Sequence, residues 1–164
     1  MNRDLSNKFQ TLHEIVHAAH ETLSQNIWDY LRGGTETETT LKRNRMALDA
    51  IALRPRVLRD MRKIDATKVI LGKRLRLPVC LAPIGSLESF DPKGGVAAMR
   101  AATEFGCGLM LSSVSQLSME EVSSAGDGLK MAMLYKRGDN QFLDNYVSRA
   151  IDSGYDAFCL TVDL

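Results

Sequence analysis

Leu77-Pro78-Val79-Cys80-Leu81-Ala82-Pro83-Ile84-Gly85 is the first of four short apolar runs along the chain. A continuous apolar run of this length, closed by proline and glycine, reads as a strand buried on both faces. Similar runs cover residues 107–111, 129–135 and 157–162. Their ends fall near Pro83, Ser112, Leu134 and Val162. Those ends lie roughly 20–30 residues apart, the length of a βα unit. The stretches between them read as helices. Residues 94–105 are rich in alanine, and Ser118-Met119-Glu120-Glu121 forms a capping box, with a serine N-cap and a glutamate three residues on. Residues 141–151 place Phe142, Tyr146 and Ala150 four apart, and Gly154 stops the helix. Apolar strands alternating with helices predict a parallel sheet covered by helices.

Two architectures give that alternation. A dinucleotide fold wants a G-x-G-x-x-G turn after its first strand, and Ala82-Pro83-Ile84-Gly85-Ser86 lacks it. The expected fold class is therefore α/β, a (β/α)8 TIM barrel, with about four of its βα strands present after a helical segment. The division predicted is 1–76 for the helical segment and connector and 77–164 for the barrel portion. A whole barrel takes about 250 residues. The sequence stops at Leu164, directly after a strand, so a truncated first half is expected.

Working back toward the N-terminus, Phe9, Leu12, Val16, Ala19 and Leu23 form one apolar stripe at helical spacing. A second helix holds Ile27, Trp28 and Leu31, and Gly33-Gly34 is expected to end it in the left-handed conformation. Residues 41–51 read as a third helix, broken by Arg54-Pro55, and residues 57–68 as a loop-rich connector. His13-Glu14-Ile15-Val16-His17 matches the H-E-x-x-H pattern of zinc proteases, and His20 follows one turn later. Three imidazoles within about 60° of one another on a helical wheel could hold a metal. The sequence lacks the longer H-x-x-G-x-x-H extension. The histidine face also lies about 90° from the apolar stripe, at the margin of a surface helix. A plain amphipathic helix with no metal is the expectation. A non-catalytic half-barrel with a histidine-rich metal patch is the alternative.

The formal net charge is +1, from 21 basic and 20 acidic side chains, which leaves no electrostatic footprint for nucleic acid. No apolar stretch reaches the ~20 residues of a membrane span, and Met1 to Gln10 carries no secretory core. A cytoplasmic protein is expected. Cys80, Cys107 and Cys159 are odd in number and sit in apolar runs, so they read as small buried hydrophobes.

In barrel enzymes the chemistry sits where strands end. Here the ends read Pro83-Ile84-Gly85, Ser112-Ser113, Met133-Leu134-Tyr135 and Thr161-Val162-Asp163. Hydroxyls at three successive ends suit hydrogen bonds to a polar heterocycle or a carboxylate. Equally, serine and threonine can cap the helices that follow.

Trp28-Asp29-Tyr30-Leu31-Arg32-Gly33-Gly34 resembles the opening of the FMN-dependent α-hydroxy-acid oxidase and dehydrogenase family. So, in order, do Asn44-Arg45, Arg54-Pro55-Arg56-Val57-Leu58, Leu77-Pro78-Val79, Ala82-Pro83, Leu111-Ser112-Ser113, Glu120-Glu121-Val122, Leu134-Tyr135 and Thr161-Val162-Asp163. Each string is weak alone; the ordered series is specific. The resemblance implies an FMN cofactor, a small 2-hydroxy-acid substrate oxidised to a 2-oxo acid, and a homo-oligomer at full length. It implies that Tyr30 and Tyr135 bind substrate. Pro83, Ile84 and Gly85 would run their backbone along the flavin, with Ser112, Met133 and Thr161 around it. Asp163 would sit behind a catalytic histidine and stabilise its imidazolium. That histidine, an arginine pair and a lysine are expected beyond residue 164, because all three histidines here lie on the first helix. Another FMN or phosphate-ligand barrel enzyme, such as an isomerase, is the alternative. The chain departs from the family pattern at Met133, where glutamine is usual, and at Val114, where many members have tryptophan.

Overall fold

Thr11 opens the first helix. Its hydroxyl accepts a hydrogen bond from the Glu14 N–H at 3.3 Å, while the Glu14 carboxylate accepts from the Gln10 N–H at 2.7 Å. One of the unpaired donors at the helix start, the Glu14 N–H, is thereby satisfied, and the chain entering the helix is tied back to it. The computed structural model describes residues 8–162. The chain separates into two units, Met1–Asp60 and Met61–Leu164. The first carries α1 (Leu12–Thr22), α2 (Gln25–Arg32) and α3 (Thr39–Asp49). Leu12, Val16 and Ala19 of the predicted stripe lie on α1, while Phe9 precedes it and Leu23 is its extended C-cap; Leu12 and Val16 are exposed and the helix buries no residue. Gly33 ends α2 but not in the left-handed conformation expected: its φ is −75° and its ψ 158°. Glycine is needed there for space, since a Cβ would lie 2.6 Å from the Asp29 carbonyl oxygen.

The second unit opens with a feature that the sequence reading did not contain. β1 (Lys68–Ile70) and β2 (Lys73–Leu75) pair antiparallel around Leu71-Gly72, whose φ angles are 49° and 78°. Two positive φ angles make the mirror-image turn that matches the twist of a hairpin. Leucine rarely adopts such an angle, which is why the turn was not legible.

The four apolar runs form one parallel sheet in the order β3-β4-β5-β6. They are β3 (Cys80–Leu81), β4 (Gly108–Ser112), β5 (Lys130–Tyr135) and β6 (Ala157–Thr161). The first is far shorter than the predicted 77–84. Pro78 and Pro83 have no N–H to give to a ladder. The N–H groups of Val79 and Ile84 turn back to Leu77 and Ala82 instead. The helices α4 (Gly94–Phe105), α5 (Met119–Ser124) and α6 (Asn140–Asp152) alternate with the strands as expected. Both halves of the capping box form at Ser118 and Glu121. Asp139 caps α6 by accepting from the Phe142 N–H, and Gly154 follows with φ 73°.

The core lies between the sheet and these helices. Leu109 and Leu111 of β4, with Ala132 and Leu134 of β5, pack against Met99, Ala102, Val122, Tyr146 and Ala150. At the amino ends of the strands a polar group locks the layers. Buried Lys130 donates through Nζ to the Ser123 hydroxyl at 2.6 Å, and Lys73 pairs with Asp156 at 3.0 Å. The amino end of such a sheet is where stability, not chemistry, is invested.

Candidate active site

The strand register decides which side chains meet. Leu109, Leu111, Ala132 and Leu134 face the helices. Side chains alternate along a strand. Met110 and Ser112 of β4, and Met131, Met133 and Tyr135 of β5, therefore project from the opposite face. β6 pairs Met131 with Ala157, Met133 with Cys159 and Tyr135 with Thr161, so Ala157, Cys159 and Thr161 share that face. Phe158 agrees, because its ring meets Tyr146 on the helix side at 6.4 Å. Ser112, Met133 and Cys159 form one row across three strands, and Tyr135 and Thr161 form the next row toward the carboxyl ends. The sheet thus gathers four of the predicted site residues onto one face.

Each has defined surroundings. Ser112 is 2% exposed, and its Oγ accepts from the Val114 N–H at 3.1 Å. That bond uses a lone pair and leaves the hydroxyl hydrogen to donate. Met133 is 4% exposed. Its carbonyl accepts twice, from the Ser113 N–H at 2.8 Å and from the buried Tyr146 hydroxyl at 3.1 Å. Burial pushes the Tyr146 phenol up to about 12, with Arg149 nearby partly offsetting it. Ser113 also accepts from the Tyr135 N–H through Oγ at 3.1 Å. Ser113 and Tyr146 were assigned no role from sequence, although together they fix the end of β5 on which Met133 and Tyr135 stand. The Ser-Ser doublet was the available sign, since one serine can face the sheet interior while the next bridges to the adjacent strand.

Pro83, Ile84 and Gly85 leave β3 beside the end of β4, and the Ser86 N–H donates to the Val114 carbonyl at 2.7 Å. A Cβ on Gly85 would sit 3.4 Å from that of Val114, so Val114 fills the space beside this glycine. Tyr30 stands on α2 of the first unit, 69% exposed. Asp163 lies outside the described residues.

Among the described residues no group of three His, Cys, Asp or Glu could hold a metal ion. His17 pairs instead with Glu21 at 3.4 Å, and His20 packs on the Trp28 ring at 4.4 Å. The three cysteines are free thiols, with Cys107 buried and Cys80 and Cys159 half-buried. Burial, then the neighbouring Cys80, pushes the Cys107 thiol up. A cavity of about 240 Å³ lies at the strand ends toward α5 and α6, lined by Ser112, Ser113, Ser115, Gln116, Tyr146 and Arg149 among others. It falls below the roughly 300–1,000 Å³ of ordinary ligand pockets. Arg149 is already spent there on the Glu120 carboxylate at 2.8 Å, which that hydrogen bond holds down at about 2.

The sequence pattern of the FMN-dependent dehydrogenases matches residues 19–164. The chain belongs to that family. Glycolate oxidase 1 of Oryza sativa subsp. indica is 39% identical over 145 residues, covering 88% of this chain and 39% of its own length. Glycolate oxidase 3 of Arabidopsis thaliana is 37% identical over a stretch of the same length. A crystal structure of mandelate oxidase superposes with a TM-score of 0.88 at 35% identity, over 95% of this chain and 47% of that one. The chain therefore spans about two-fifths of the length of the curated relatives it matches. Its four parallel strands and their helices are part of a (β/α)8 barrel. Among the described residues, no helix is long and apolar enough to cross a membrane.

The inner face suits one end of an FMN molecule. Hydroxyls of Ser112, Tyr135 and Thr161 around the Met133 thioether offer polar contacts for ring heteroatoms and a soft apolar contact for the ring itself. The rows running from Met110 to Thr161 hold no cation, so they fit the ring and not the phosphate.

Proposed function

We propose that the protein carrying this chain oxidises a small 2-hydroxy acid to the 2-oxo acid with FMN as cofactor. The observation behind this reading is the strand register, which sets Ser112, Met133, Tyr135 and Thr161 on one face at the carboxyl ends of adjacent strands. Bound FMN would supply the redox step by accepting a hydride equivalent, chemistry that no side chain provides. The chain's own residues would bind and orient. Ser112 donates its free hydroxyl hydrogen to a ring heteroatom, and Thr161 does the same from β6. The backbone of Pro83, Ile84 and Gly85 lines the ring where β3 ends. Tyr135 addresses the substrate's hydroxyl or carboxylate, and Tyr30 the carboxylate. Asp163 orients the catalytic base and stabilises it once protonated. A histidine base, an arginine clamp and a lysine beside the flavin would be supplied by chain beyond residue 164. A cytoplasmic location and a homo-oligomeric state go with this reading.

Anaerobic mixing with a panel of 2-hydroxy acids tests it. The full-length protein should purify yellow, and one such acid should bleach the flavin absorbance with release of the 2-oxo acid. Flavin that binds but is bleached by none of them would favour an isomerase or another non-oxidising barrel enzyme.

A further inference from the structure

Glu88 is a carboxylate that neither the sequence reading nor the flavin assignment uses, and it spans two of the strand-end loops. It lies in the 3-10 turn Leu87–Ser89 just past β3, entered through Ser86 at φ 54°. Its Oε1 accepts from the Ser115 hydroxyl at 3.0 Å and its Oε2 from the Gln116 N–H at 3.1 Å. Both partners belong to the loop after β4. The main chain is shaped around this carboxylate. A Cβ on Gly94 would lie 2.5 Å from Oε1, and Gly94 holds a φ of +29°. Burial pushes the Glu88 carboxyl up, but N–H groups of Gln116, Glu88 itself and Gly95, with the Ser115 hydroxyl, outweigh it and hold the group below its usual range. The start of α4 is thus filled by the chain's own anion.

We propose that Glu88 is a positioning residue whose carboxylate fastens the loop after β3 to the loop after β4, so that the backbone of Pro83–Gly85 and the Ser112 hydroxyl address the same flavin ring. The reasoning rests on the flavin reading above. Three linkages run in series between the two loops and Ser112. Ser112 Oγ holds the Val114 N–H, the Val114 carbonyl holds the Ser86 N–H, and Glu88 closes the circuit on Ser115 and Gln116. Without the last, the hydrogen bond described between the two loops is the backbone one from Ser86 to Val114. A single linkage allows rotation that a pair forbids. Gly85 stands three residues before Glu88 and Ser112 three before Ser115, so loop rotation shifts both ring contacts.

Glu88→Gln in the full-length protein tests the proposal, because the amide keeps the shape yet turns one acceptor into a donor facing a donor. Ser115→Ala removes one partner more gently and serves if Glu88→Gln does not fold. Lys73→Met breaks the ion pair at the amino ends of the strands and is the control for general destabilisation. FMN dissociation constants should rise about tenfold for Glu88→Gln and about threefold for Ser115→Ala, and stay within twofold for Lys73→Met. Amide exchange in the FMN-free protein should quicken at Ser86 and Gln116 in both loop variants, with α6 unchanged. FMN affinity unaltered by the loop variants, or weakened equally by Lys73→Met, would overturn the positioning role. If the wild-type protein binds no FMN, the flavin reading fails. The exchange data then still decide the fastening: unchanged rates at Gln116 and Ser86 would refute it, and faster rates would uphold it.

Discussion

Replacing Tyr146 with phenylalanine removes a single oxygen from behind the end of β5. The hydroxyl it deletes donates to the Met133 carbonyl at 3.1 Å from a side chain that is 9% exposed. The carbonyl keeps its second donor, the Ser113 N–H at 2.8 Å, so no buried acceptor is orphaned. The loss at neutral pH is then that of one neutral hydrogen bond, about 1 kcal/mol net. Alkaline pH adds a second signature. Burial, less a smaller opposing influence from Arg149, raises the phenol from 10.0 to about 12 in the folded protein. Below pH 10 the group is neutral in both states and its full contribution is present. Between 10 and 12 the unfolded chain ionises first, so stability falls as pH rises, by at most about 2–3 kcal/mol. The Tyr146→Phe variant has no such group. Urea unfolding at pH 7 should therefore show the variant less stable by about 1 kcal/mol. By pH 12 the gap should close and change sign. Tyr155, whose phenol is raised by burial first and by the neighbouring Tyr146 second, keeps the burial contribution but loses that of Tyr146 in the variant, which closes the gap in the same direction. A gap that stays constant across the pH range would refute the buried phenol, and no gap at pH 7 would refute its hydrogen bond.

Other expectations follow from the same geometry. Met133→Gln should tighten FMN binding about fivefold, equivalent to one hydrogen bond of ~1 kcal/mol, in a fluorescence titration. It should also make the FMN-free protein less stable, since an amide at a site now 4% exposed would lack a partner there. Ser118→Ala removes the acceptor for the Glu121 N–H and should cost about 1 kcal/mol in urea unfolding, with FMN affinity unchanged. The 164 residues made alone should self-associate, because Leu81, Phe158 and Leu160 are exposed on the outer strands of the sheet. A sedimentation run showing only monomer would contradict that.

The sheet was legible because its signal is doubly written. Continuous apolar runs gave the strands, and the capping box at Ser118 with Gly154 after α6 gave helix limits. What failed was local backbone geometry without a compositional sign. Leu71 adopts a positive φ that its side chain disfavours, so the β1–β2 hairpin was invisible. Gly33 was placed correctly, but for a handedness it does not adopt. The site was half legible. Ser112, Tyr135 and Thr161 could be named because hydroxyls at strand ends stand out and the resemblance supplied roles. Ser113, Tyr146 and Glu88 could not, because each acts across more than ten residues of chain through a partner that only strand order brings near. Glu88 in particular reads as one more solvated charge until the loop after β4 is seen folded onto it.

A crystal structure of the full-length protein with FMN would show which face of the sheet the ring occupies. The ring should lie on the inner face, in contact with the Ser112 hydroxyl, the Met133 side chain and Thr161, with the backbone of Pro83–Gly85 alongside. A ring seated elsewhere, such as in the cavity by Ser115 and Arg149, would contradict the assignment of that face.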